Sequence, residues 1–158
     1  MPLANTEQFG PLTYQDDAVL LFPRGLPGFE QSRRFVLVKQ PELAPLVHLQ
    51  SLESATLCFL AIPVPVIDAT YQPQLSAEDC DTLELDAIDS THTLLLALLA
   101  VTAEGNVTAN LLAPVVVNLA TKLALQAVRA DTRYSHEHQI RDAEVLNDAS
   151  GEGRILCS

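Results

Sequence analysis

The sequence predicts an all-β (mostly) fold: a small β-barrel-like single domain of short antiparallel strands with one or two short helices. Three observations predict it. Short apolar segments recur with turn signals between them at roughly 8–12-residue spacing, the pattern of a barrel or sandwich. Ten prolines and six glycines cut the chain into pieces. The length of 158 residues suits one domain, and a chain of that size buries roughly two-thirds of its unfolded surface. Hydrophobic residues make up 48%, which excludes a disordered chain.

The elements follow in chain order. Asp16 and Asp17 precede Ala-Val-Leu-Leu-Phe, and residues 17–22 predict a buried strand. Pro23-Arg24-Gly25-Leu26-Pro27-Gly28 predicts a tight loop, because proline fixes φ and glycine supplies positive φ. Residues 34–39 and 46–52 are strand-like. In the latter, His48 and Gln50 alternate with Val47, Leu49 and Ser51. Residues 56–62 are apolar and end at Pro63 and Pro65, where a strand end or edge is expected. Residues 76–89 are the best helix candidate. Ser76 suits an N-cap, and Glu78 and Asp79 suit the positive end of the helix dipole. The spacing of Leu75, Leu83, Leu85 and Ile88 leaves one or two short turns equally open.

Residues 93–101 are rich in helix-favouring Leu and Ala. Their length and the Gly105-Asn106 turn favour a strand, paired with Val107 onward in a hairpin. Residues 115–117 carry the strongest β signal, and 122–129 alternate in part. The tail is polar. The expected organisation is a domain over 1–141 and a flexible tail over 142–158.

Charge is unevenly distributed. Twenty acids face nine bases, a net charge of −11. Residues 40–121 contain no Lys or Arg but hold ten acids, so this stretch carries −10 and the flanks −1. Such a balance argues against direct binding of nucleic acid or of an anionic membrane, both of which need a cationic surface. It permits a basic partner. Residues 78–89 hold six of the acids, and two readings stay open: a solvated face, or a contact surface whose self-repulsion a cationic protein relieves.

The N-terminus shows no basic and apolar signal pattern, and the longest apolar run is the eight residues 94–101. A spanning helix needs about 20. Cys58, Cys80 and Cys157 are odd in number and lack C-x-x-C spacing. The expected place is a reducing cytoplasm. No cofactor is implied, since no glycine-rich phosphate loop appears.

Two candidates for chemistry remain. His136 and His138 share one face if they lie on a strand, but no third metal ligand accompanies them. His48 lies near Ser51 without a nucleophile elbow. Cys58 reads as core.

Three passages together resemble the bacterial flagellar assembly factor family FliW. The first is Phe22-Pro23-Arg24-Gly25-Leu26-Pro27-Gly28-Phe29-Glu30, similar to the family's Phe-x-x-Gly-(Ile/Leu)-Pro-Gly-Phe block. The second is Leu49-Gln50-Ser51, followed by Phe59 and a strand closing at Pro63. The third runs from Val107 through Asn110-Leu111-Leu112-Ala113-Pro114 to Asn118, with Gln126 downstream. Order and spacing agree over roughly residues 12–135.

The resemblance implies a cytoplasmic, non-enzymatic binding protein. The family binds flagellin before export, and it binds CsrA, a small basic RNA-binding dimer that represses flagellin translation. The two partners compete. The motif residues Gly25, Pro27, Gly28, Phe29, Gln50, Ser51, Asn110, Ala113, Pro114, Asn118 and Gln126 read as structural, holding turns and strand ends. The partner surface expected from charge is Asp68, an exposed Tyr71, Glu78, Asp79, Asp81, Glu84 and Asp86. The alternatives are a small hydrolase-like enzyme using His48/Ser51 or His136/His138, and a structural protein that only oligomerises.

Overall fold

The computed structural model describes residues 1–86, 92–131 and 133–140. Strands β1 (Leu3–Thr6) and β2 (Gly10–Thr13) form an N-terminal hairpin of their own. Polar residues, Gly10 and Pro11 hide it from a hydrophobicity pattern, and no strand is expected there from sequence. The hairpin leans on the domain through Phe9, whose ring meets His48 edge-on at 5.2 Å.

The domain is built from β3 (Leu20–Leu21), β4 (Arg34–Lys39), β5 (Val47–Ser51), β6 (Cys58–Pro63), β7 (Thr93–Val101), β9 (Val115–Asn118) and β10 (Leu123–Gln126). Strands β3 to β7 pair antiparallel in sequence. Strand β7 then pairs with β9, β9 with β10, and β10 runs parallel to β3. Seven strands thus close on themselves, which removes the free edges of an open sheet. Strand β7 is long enough to pair twice along one edge. Leu96 back to Thr93 faces β9, and Leu99 to Val101 faces β8 (Val107–Ala109). Strand β11 (His138–Gln139) adds to β8.

Alternation decides where the core sits. Leu94, Leu96 and Leu98 turn inward with Phe22, Phe35 and Leu49. Leu95, Ala97 and Leu99 turn outward, under a second apolar layer that includes Tyr71, Val107 and Leu111. Strand β5 is buried along its whole length, so the alternation of His48 and Gln50 marks two covered faces.

Two short helices complete the fold, α1 (Val64–Ile67) and α2 (Ala77–Leu83). Helix α1 is not foreseen from sequence, because Val-Pro-Val-Ile reads as a strand end. Helix α2 is shorter than the expected 76–89. Glu84 takes a left-handed conformation (φ 57°) and ends it, while residues 87–89 lie outside those described. The expected strand at 17–22 is also trimmed. Asp16–Ala18 form a 3₁₀ turn with no buried residue, and pairing begins at Leu20. The expected tail, 142–158, lies outside the described residues.

Candidate partner-binding surfaces

Helix α2 is defined by its cap. Ser76 Oγ accepts from the Asp79 N–H at 3.0 Å, and Asp79 Oδ2 accepts from the Ser76 N–H at 3.2 Å. This reciprocal pair satisfies donors that a helix start leaves free. Leu83 is fully buried and joins Val116 and Leu125 on the outer face of β9 and β10. Burying Leu83 leaves Glu78, Asp81, Glu84 and Asp86 exposed.

The expectation of acids with no neutralising base needs correction. Arg24, from the Pro-Gly loop, reaches across the fold to this helix. Its Nη1 donates to Asp79 Oδ1 at 2.8 Å and its Nη2 to Thr82 Oγ1 at 2.9 Å, with Glu78 at 3.9 Å. Burial pulls the Asp79 carboxyl up, but bonds from Arg24 and Ser76 outweigh it, and its pKa lies below the ordinary value. Asp79 therefore braces the helix, and the other four acids remain outward.

Asp68 and Tyr71 do not join this surface. They pack on the outer layer over β7 and β8, whereas α2 covers β9 and β10. Asp68 accepts from the Thr70 hydroxyl at 2.6 Å, the Tyr134 hydroxyl at 2.8 Å and the Thr70 N–H at 2.9 Å. These bonds lower its pKa. Tyr71, expected to be exposed, is 5% exposed. Its hydroxyl donates to the Leu111 carbonyl at 2.6 Å. The Tyr134 ring lies 4.5 Å away, and the Arg129 guanidinium lies 5.3 Å from one ring and 4.9 Å from the other. Burial raises the Tyr71 pKa. Arg129, Tyr134 and Arg24 were absent from the expected site. Their roles depend on pairings between distant segments, which spacing does not encode.

The motif residues hold backbone in place. Gly25 has φ +65°, and a Cβ there would lie 2.6 Å from Glu30 Cα. Gly28 also has positive φ, while Pro27 between them is exposed. Leu26 is buried and bridges to Phe29. Gln50 Nε2 donates to the carbonyls of Ser51 at 2.9 Å and Leu57 at 3.2 Å. Ser51 Oγ accepts from the N–H groups of Glu53 and Ser54. Asn110 Oδ1 accepts from the Ala113 N–H, Gln126 Nε2 donates to the Ala113 carbonyl, and Ala127 N–H donates to the Pro114 carbonyl. Asn118 Nδ2 donates to the Leu83 carbonyl at 2.7 Å, which ties β9 to the end of α2.

The chemical candidates are dispersed. His48 and Ser51 sit at odd separation on β5, so the pleat sends them to opposite faces. Burial lowers the His48 pKa. His136 pairs with Glu137 at 2.9 Å and precedes the strand that holds His138. Cys58 is half-buried, and burial pushes its thiol up to about 11. Among the described residues, no group of three or more His, Cys, Asp and Glu is placed to hold a metal ion. Among the same residues, no helix is long and apolar enough to cross a membrane.

The fold and the sequence both have relatives. A family model described as FliW protein matches residues 3–140. The flagellar assembly factor FliW of Bacillus subtilis (strain 168) is 30% identical over 138 residues, covering 87% of this chain and 96% of that protein. Its counterpart in Heliobacterium modesticaldum is 33% identical over 151 residues, covering 94% and 96%. A crystal structure of the flagellar assembly factor FliW aligns with a TM-score of 0.77 at 27% identity, covering 87% of this chain and 96% of that one. The barrel, the three motif blocks and these matches agree: this chain belongs to the FliW family of flagellar assembly factors.

Proposed function

We propose that this chain serves flagellar assembly as a cytoplasmic binding protein. It binds flagellin, antagonises the translational regulator CsrA, and so couples flagellin synthesis to export. Family membership supports the assembly role, and the resemblance of the motif blocks supports the two partners.

The observation that carries the CsrA part is the outward set of Glu78, Asp81, Glu84 and Asp86 around α2. A surface of one sign speeds encounter with a basic dimer, and salt screens it. Flagellin and CsrA compete in this scheme. Accumulated flagellin occupies the factor and frees CsrA to repress translation. Exported flagellin returns the factor to CsrA. No catalytic step is needed.

Charge reversal tests the reading. Asp81→Lys with Glu84→Lys leaves the Asp79 cap untouched. The double variant is expected to lower the CsrA association rate by about tenfold at low salt, and to flatten its salt dependence. An unchanged rate with unchanged salt dependence would return α2 to a merely solvated face.

A further inference from the structure

We propose that the N-terminal hairpin, residues 3–13, is a strap that lifts off the barrel when His48 takes up a proton, while the barrel stays folded. The hairpin holds itself together more firmly than it holds the barrel. Ala4 pairs with Leu12, and Thr6 with Gly10. At the turn, Thr6 Oγ1 accepts from the Phe9 N–H at 2.9 Å and donates to the Gly10 carbonyl at 2.8 Å. Thr6 is the one buried residue of residues 3–13. Among the described residues, a single backbone hydrogen bond ties this stretch to the barrel, from the Glu7 N–H to the Ala55 carbonyl at 2.9 Å. A cleft of about 380 Å³ separates Leu12, Thr13 and Tyr14 from Val36, Leu37 and Val38. The edge-on contact of Phe9 with His48 completes the attachment.

The face beneath the strap is polar at its centre. Phe35 and Leu49 turn into the barrel, so Val36, Val38, His48 and Gln50 turn outward. His48 stands between Val38 of β4 and Leu60 of β6 and is 4% exposed. Burial lowers its pKa, and no hydrogen bond or charged neighbour offsets that cost. Glu7 on the hairpin and Lys39 on β4 are exposed. The Glu53 carboxylate accepts from the Arg33 and Arg34 N–H groups. Cys58, paired with Gln50, has its thiol pushed up to about 11 and stays neutral. Gln50 is fully buried on the same face, and among the described residues nothing donates to its Oε1. Lifting the strap lets water reach that oxygen, which offsets part of the cost of opening.

Protonation therefore favours the lifted state. An imidazolium gains something from an aromatic face, but it loses water on its other sides among Val38 and Leu60, and burial dominates. With the strap lifted, His48 titrates near about pH 6.5. The opening equilibrium is thus constant above that pH, rises as pH falls through it, and levels off below the pKa of the closed form. Between pH 7.5 and 5.5 the linkage amounts to about tenfold. A two-stranded hairpin is marginal alone, so its amides exchange once it lifts.

Amide hydrogen exchange of the full chain, followed by NMR and corrected for intrinsic rates, tests the strap. Hairpin protection factors should lie about 100-fold or more below those of β4 and β5 at both pH 7.5 and pH 5.5. They should fall about tenfold from the higher pH to the lower, and His48→Leu should abolish that fall. Phe9→Ala, at the hairpin turn, should lower hairpin protection about tenfold at pH 7.5. Hairpin amides as protected as those of β4 and β5 would overturn the strap, because they would exchange only through global unfolding. Wild-type hairpin protection that holds or rises at pH 5.5, an undiminished fall in His48→Leu, or wild-type protection in Phe9→Ala would overturn it as well.

Discussion

Tyr71 Oη and the Leu111 carbonyl, 40 positions apart, form a 2.6 Å hydrogen bond in a buried setting. The bond fastens the segment before α2 to the segment after β8. Arg129 completes the lock from the C-terminal side. It lies over both tyrosine rings, pairs with Asp131 and donates to the Gln72 carbonyl. The Tyr71→Phe variant leaves the carbonyl unpaired and should destabilise the fold by about 1–2 kcal/mol. Urea unfolding reads this as a lower midpoint with an unchanged slope. Stability equal to the wild type would mean that Leu111 finds another donor.

The Pro-Gly loop predicts an order among glycine substitutions. Gly25 and Gly28 both have positive φ, and either alanine pays about 1–2 kcal/mol for that conformation. At Gly28 nothing lies within 4 Å of the added Cβ, so the effect stops there. At Gly25 the Glu30 backbone lies 2.6 Å away, and the loop must move. Gly25→Ala should therefore lower the thermal midpoint by more than twice the Gly28→Ala shift. Equal shifts would show that the 22–32 loop yields at little energy.

Burial makes His48 a source of acid sensitivity. Its folded pKa is lowered, because the charged imidazole loses water beneath the Phe9 ring. The unfolded chain takes up the proton near about pH 6.5 and the folded chain only lower. Stability is thus unaffected above that pH, falls as pH drops through it, and levels off below the folded value. His48→Leu should remove this part of the slope below about pH 6.5. Chemical denaturation at each pH in both proteins measures it, and parallel curves would count against the assignment.

Much of this fold is legible in the sequence, and the losses have physical causes. Strand β4 is readable from its apolar run, and the β7–β8 hairpin from its length and the Gly105-Asn106 turn, which outweigh a helix-favouring composition. Helix α2 announces its start through Ser76 and Asp79. The β1–β2 hairpin is silent because half its residues face water. The site is less legible than the fold. Tyr71 sits among Gln72, Pro73 and Gln74 and reads as surface, yet its cover comes from Arg129 and Tyr134. The acidic run reads as unopposed, yet Arg24 reaches Asp79 from 55 positions away. Both errors come from long-range contacts that local composition does not report.

In the proposed function, one chain holds either flagellin or CsrA. Fluorescence anisotropy of labelled CsrA in complex with the full chain tests it most directly, with unlabelled flagellin monomer added stepwise. Anisotropy should fall to the value of free CsrA as flagellin saturates the chain. Anisotropy that stays at the value of the complex, with flagellin in excess, would contradict it.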